Sequence, residues 1–92
     1  MLQEIKELST KTDDLVRYSQ ALALARSGRG RPVRLQSGAS LRHIADAVSE
    51  QVGRPIAAST IFRWEQFMRV PRDTAAAIAW MDVLDALLER AD

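Results

Sequence analysis

Apolar residues recur along this chain at intervals of three and four, and no stretch alternates apolar with polar. The pattern therefore predicts helices and no strand. Leu2, Ile5 and Leu8 form one apolar stripe; Leu15, Tyr18, Leu22 and Ala25 form a second, with the polar run 9–14 between them. Residues 2–27 hold neither Gly nor Pro, so they read as one long helix or as two, the second capped at Thr12 or Asp13. Gly28-Arg29-Gly30 stops that stretch, and Pro32 suits the first turn of a short helix over about residues 31–37. Gly38 ends it. Ser40 is a natural N-cap for a helix from Leu41 to about Val52, because its hydroxyl can accept from an early backbone N–H. After the turn Gly53-Arg54-Pro55, a helix is predicted from about Ala58 to Met68, broken by Val70-Pro71-Arg72. Asp73 or Thr74 caps the last helix, which carries Ala77, Trp80, Met81, Leu84 and Leu88 at helical spacing. The expectation is one all-α domain over residues 1–92, with N-terminal helix or helices in 1–27, a core in 31–69 and a closing helix in 73–90. It has five helices, or six if residues 1–11 form their own.

Composition narrows the class. Hydrophobic residues make up 47% and charged residues 27%, a balance that argues against a disordered tail and against a membrane protein. No apolar run approaches the ~18 residues needed to span a bilayer. The start, MLQEIKELSTK, has no apolar signal stretch, so a cytoplasmic protein is expected. With no cysteine, disulfides and thiolate metal sites are both excluded.

A net charge of +1 says little about partners until its distribution is read. Residues 1–14 carry −2. Residues 15–72 carry ten arginines against Asp46, Glu50 and Glu65, or +7, and residues 73–92 carry −4. A basic middle between acidic ends suits a phosphate-binding surface, although an Arg-rich solvated surface has the same composition. Every cation in that middle is Arg, whose planar fork matches phosphate and guanine edges better than Lys does.

The informative segment is 31–72. Ile44, Ala45 and Val48 share one helix face, Ile61 and Trp64 share another, and a small residue such as Ala45 lets crossing helices approach closely. With those faces buried, Ser59, Thr60, Arg63 and Gln66 remain outside. Helix capping is the plainer role for Ser59 and Thr60.

The run S-L-R-H-I-A at 40–45, then A-S-T-I-F-R-W-E at 58–65, then R-V-P at 69–71 resembles the helix-turn-helix of the Cro and lambda-repressor class, the XRE family. The likeness covers roughly half the chain, and the last helix fits as the family's closing helix. It implies a lambda-repressor-like fold whose helix at 58 enters the major groove, with Ala58, Ser59, Thr60 and Arg63 at base-reading positions. Arg63 can donate bidentately to guanine, worth about 1–3 kcal/mol of discrimination. Ser40, Arg42, Arg54, Gln66, Arg69 and Arg72 are candidates for backbone phosphates. The resemblance also implies a structural ion pair between Arg34 and Glu65. Two departures are visible. About six extra residues separate the Ile44-Ala45 pair from Ser59-Thr60-Ile61, which predicts a first helix longer by about one turn and then a looser loop through 53–55. Leu41 stands where many members have a phosphate-holding Gln.

Three further readings accompany this one. Gly28-Arg29-Gly30-Arg31-Pro32 resembles an AT-hook core, which would put Arg29 and Arg31 into a minor groove from an extended segment; a Gly stop followed by a Pro start explains the same residues. An antitoxin or partner-binding subunit could use the same fold, with the acidic last helix and the Leu2-Ile5-Leu8 stripe as partner surfaces. An enzyme is the weakest reading: His43 is the only histidine and has no second metal ligand, Gly-rich phosphate loop or paired carboxylates beside it. The expectation is a small Cro-like transcriptional regulator of phage or prokaryotic type. Its partner is a double-stranded DNA operator, no cofactor or small-molecule ligand is expected, and both homodimer and monomer are open.

Overall fold

Helix boundaries in this chain are set by a few capping residues, seen in a computed structural model that describes residues 2–69 and 71–90, with side chains from Asp13 onward. Among the described residues there are five helices and no strand: α1 (Leu2–Ser27), α2 (Gly30–Ser37), α3 (Leu41–Val52), α4 (Ala58–Glu65) and α5 (Thr74–Arg90). Residues 2–27 are thus one continuous helix. α2 and α3 end on Gly38 and Gly53, at φ 78° and 74°, a left-handed conformation that glycine adopts without a Cβ clash. Ser40 caps α3 by accepting from the His43 N–H at 3.0 Å. Of the two residues expected to cap α5, Asp73 does so, its Oδ1 accepting from the Ala76 N–H at 3.1 Å.

α4 stops at Glu65, three residues before the expected Met68. Phe67 adopts φ 51°, the Met68 N–H reaches back to the Arg63 carbonyl at 2.9 Å and the Phe67 N–H to that of Trp64 at 3.2 Å. These two bonds make a Schellman closure with Phe at the position glycine usually occupies. With no Gly to mark it, the stop was invisible to helical periodicity. The chain then turns into Pro71, which is buried and whose carbonyl accepts from the Tyr18 hydroxyl at 2.6 Å.

α5 is the central element, packed on α1, α2 and α3. Ala76, Ala77, Ala79, Trp80, Met81, Val83 and Leu84 are all buried, a wider face than the single expected stripe. Leu88, counted in that stripe, is exposed. Trp80 is completely buried and meets Trp64 of α4 with ring centroids 5.6 Å apart, tilted by 59°. Ile44, Ala45 and Val48 from α3, Ile61 from α4 and Ala25 from α1 complete this core.

The second α1 stripe holds in part: Ala25 is buried and Tyr18 and Leu22 are half-buried, but Leu15 is exposed, and Ala21 and Leu24 join the packing. Alanine lets α1 approach α5 closely enough for Ala21 to join Ala77 and Met81 in one cluster, which a row of leucines would prevent. The side chains of Leu2, Ile5 and Leu8 lie outside the described residues. No helix among the described residues is long and apolar enough to cross a membrane.

Candidate nucleic-acid interface

The α3–α4 unit is held by its apolar sides: Ile44, Ala45 and Val48 face Ile61 and Trp64 within one core. The connecting turn is pinned rather than loose. The Ser49 hydroxyl donates to the Ala45 carbonyl at 2.6 Å and accepts from the Ile56 N–H at 2.8 Å, and Ile56 packs its half-buried side chain on the core. α3 runs to Val52, as expected, and Ser49 in its last turn ties down the connection as far as Ile56. Sequence reading missed Ser49, since a lone serine in a helix normally signals nothing.

α4 presents a clear division. Ile61, Trp64 and Glu65 are buried; Ser59, Arg63 and Gln66 are exposed; Ala58 and Thr60 are half-buried. The N-cap is Ala57 in an extended conformation, with no side-chain cap, so the capping role weighed for Ser59 and Thr60 falls to neither.

Around the N-terminal end of α4 the arginines gather. Arg54, Arg69 and Arg72 line one recess of about 400 Å³ together with Ala57 and Thr60. Arg42 borders a smaller one of about 240 Å³ beside Ala57 and Ala58. Arg69 and Arg72 are exposed, and the Tyr18–Pro71 bond holds the backbone that leads directly into Arg72. Arg54 is not free: it is ion-paired with Asp73, the residue that caps α5. Nothing in the residue spacing announced that pair.

Ser40 and His43 are placed differently. With Leu87 and Arg90 they border an open depression of about 690 Å³ between the α2–α3 turn and α5, whose lining includes no residue of α4. Among the described residues no group of three His, Asp or Glu side chains could hold a metal ion.

Arg29 and Arg31 do not form an extended arm. Arg29 has helical backbone angles (φ −74°, ψ −18°), and Gly30-Arg31-Pro32 is the first turn of α2. Gly30 is buried against Trp80, so the segment is a packed helix junction with its two arginines exposed. The AT-hook conformation is therefore corrected to the helix stop and start.

Arg34 and Glu65 meet in a buried two-point ion pair, Nε to Oε2 at 2.6 Å and Nη2 to Oε1 at 3.1 Å. The third guanidinium nitrogen, Nη1, donates to the Ala39 carbonyl at 3.1 Å, so one side chain joins α2, the α2–α3 turn and α4. Glu65 is thereby consumed inside the domain rather than offered to solvent.

Of the acidic end of the sequence, Asp82, Asp85 and Glu89 lie on α5. Asp82 pairs with Arg17 of α1, which holds the Arg17 guanidinium above its ordinary pKa. The Asp85 carboxyl is pushed up by partial burial, then by its neighbours Asp82 and Glu89.

Compared with protein-family models, with curated proteins and with solved structures, the chain matches none of them.

Proposed function

We propose that the chain is a sequence-specific double-stranded DNA-binding transcriptional regulator of the Cro and lambda-repressor type, with α4 as its major-groove helix. The observation that carries this reading is the division of α4. One face is locked into the core, while Ser59 and Arg63 stand free on the other and four arginines surround its N-terminal end. Arg63 donates to a guanine edge, Ser59 and Thr60 hydrogen-bond neighbouring bases, and Arg42, Arg69 and Arg72 hold phosphates. The protein acts by occupying an operator and excluding polymerase or a competitor.

The test is enrichment of bound duplexes from a random-sequence pool, followed by a footprint of the preferred site. A defined motif bound at 10⁻⁸ M or tighter at physiological salt, about the range of specific complexes, is the expected outcome. Binding that stays at the non-specific level, about 10⁻⁴–10⁻⁶ M for every sequence, overturns the reading. Two half-sites about one helical turn apart indicate a dimer, and one asymmetric site a monomer.

A partner-binding module such as an antitoxin is the second reading, favoured by Leu15 and Val16, which stand exposed on successive positions of α1. A rise in melting temperature on adding a purified candidate partner, lost in Leu15→Glu, would decide for it.

A further inference from the structure

The recess at the N-terminal end of α4 brings together three guanidinium groups, of Arg54, Arg69 and Arg72, and one carboxylate, of Asp73. Asp73 is committed twice. One oxygen accepts from the Ala76 N–H at 3.1 Å and so caps α5, while the other is ion-paired with Arg54. Among the described residues neither Arg69 nor Arg72 has an acidic partner, which leaves the recess two positive charges in excess. Its lining also includes Ala57 and Thr60, at the start of α4. Guanidinium forks gathered in this way have one preferred ligand chemistry, a phosphate group.

The cap fixes Asp73 in place, so a phosphate entering the recess meets a carboxylate already holding one of the three arginines. We propose that this recess binds a single phosphate group and that Asp73 is its internal competitor, releasing Arg54 when the phosphate arrives. The assignment of that phosphate to a DNA backbone rests on the proposed function. The Arg54–Asp73 pair is half exposed on both sides, as an exchangeable pair must be. The consequence is a brake on backbone affinity that acts equally on every sequence, leaving discrimination to α4.

Asp73→Asn separates the two duties, because Asn caps a helix about as well as Asp but carries no charge. The full chain and this variant are titrated with a mixed-sequence duplex at low salt, and separately with inorganic phosphate, following the Nε–Hε NMR signals of the arginines. Asp73→Ser, which also caps, is the second variant should the first melt early. The expected result is duplex binding tighter by about two- to fivefold in both variants, the scale of one exposed charge pair. Arg54→Ala then weakens binding more in the Asp73→Asn background than in the wild type. Unchanged or weaker duplex binding in variants of wild-type melting temperature overturns the proposal, as does an equal cost of Arg54→Ala in both backgrounds. If no duplex binds but inorganic phosphate moves the arginine signals at lower concentration in the variants, the recess stands and the DNA reading falls. If neither ligand moves those signals, the recess falls.

Discussion

Arg34 and Glu65 form a bidentate ion pair inside the domain, each almost wholly removed from solvent, and they connect the second helix to the last turn of the fourth. Removing one partner leaves the other charged and buried. Glu65→Ala is therefore expected to cost about 3–5 kcal/mol, a large part of the roughly 5–15 kcal/mol that holds a domain of this kind folded. Urea denaturation measures it. The double change Arg34→Met with Glu65→Leu should lose less than either single change, since no charge is then stranded. Single variants within about 0.5 kcal/mol of wild type would show that water reaches the pair, as it does for surface changes of no consequence.

Gly30 has its own close neighbour. A Cβ at that position would lie 2.8 Å from Cζ2 of Trp80, a ring that is fully buried and also touches Trp64. Helix propensity alone favours Gly30→Ala by up to about 1 kcal/mol. The clash opposes it, because overfilling a packed core costs about 1–3 kcal/mol. The expected net result is a lower melting temperature and altered Trp80 fluorescence. A variant more stable than wild type would show that Trp80 yields easily.

Phe67 is a bulky residue held at φ 51°, with its side chain still substantially exposed. Strain of this kind costs on the order of 1–3 kcal/mol, and glycine removes it. Phe67→Gly is expected to stabilise the fold by roughly 1 kcal/mol, less the unfolded-state entropy that glycine adds. Thermal denaturation checks the sign. A clear loss of stability would mean that the ring's remaining contacts outweigh the backbone strain.

The helices and most of their limits were legible because they rest on local chemistry: Ser40 as a cap, Gly38 and Gly53 as stops, apolar spacing on α3 and α4. What local pattern could not supply was contact between distant residues. Tyr18 looked like a member of an apolar stripe, yet its hydroxyl also holds the Pro71 carbonyl next to Arg72. The extra residues before α4 suggested slack, and Ser49 removes it with two hydrogen bonds. Arg29 and Arg31 allowed a minor-groove arm beside the plainer helix junction until the burial of Gly30 separated the two conformations. The candidate site was visible as an Arg-rich segment, whereas the pairing of Arg54 with Asp73 depended on the fold.

Asp85 on α5 gives a pH dependence with a definite sign. Partial burial raises its folded-state pKa, and Asp82 and Glu89 add to the effect while Arg17 opposes it. A carboxyl raised in the folded state destabilises when ionised, so its cost is present at neutral pH and fades as pH falls through the folded-state value. Asp85→Asn should therefore stabilise near pH 7 by a few tenths of a kcal/mol, the scale of like-charge pairs one helical turn apart. The gain should vanish below about pH 3.9, where the unfolded carboxyl is also protonated. Melting curves at both pH values test this, and a gain that persists at low pH would assign it to helix propensity instead.

Arg63 is exposed on α4, opposite in role to the buried Ile61 and Trp64 of the same helix. Because its side chain takes no part in the core, Arg63→Ala should leave the melting temperature nearly unchanged, within about 0.5 kcal/mol in stability. Bound to a selected operator, the same variant should lose about 1–3 kcal/mol and relax its preference at one base pair, as expected when a bidentate guanine contact is removed. Arg72→Ala should behave differently, weakening all duplexes to a similar degree and flattening the dependence of log K on log salt by roughly one. The contrast is the informative quantity. If Arg63→Ala and Arg72→Ala both weaken every sequence alike, Arg63 is a phosphate contact and the base reading shifts to Ser59 and Thr60.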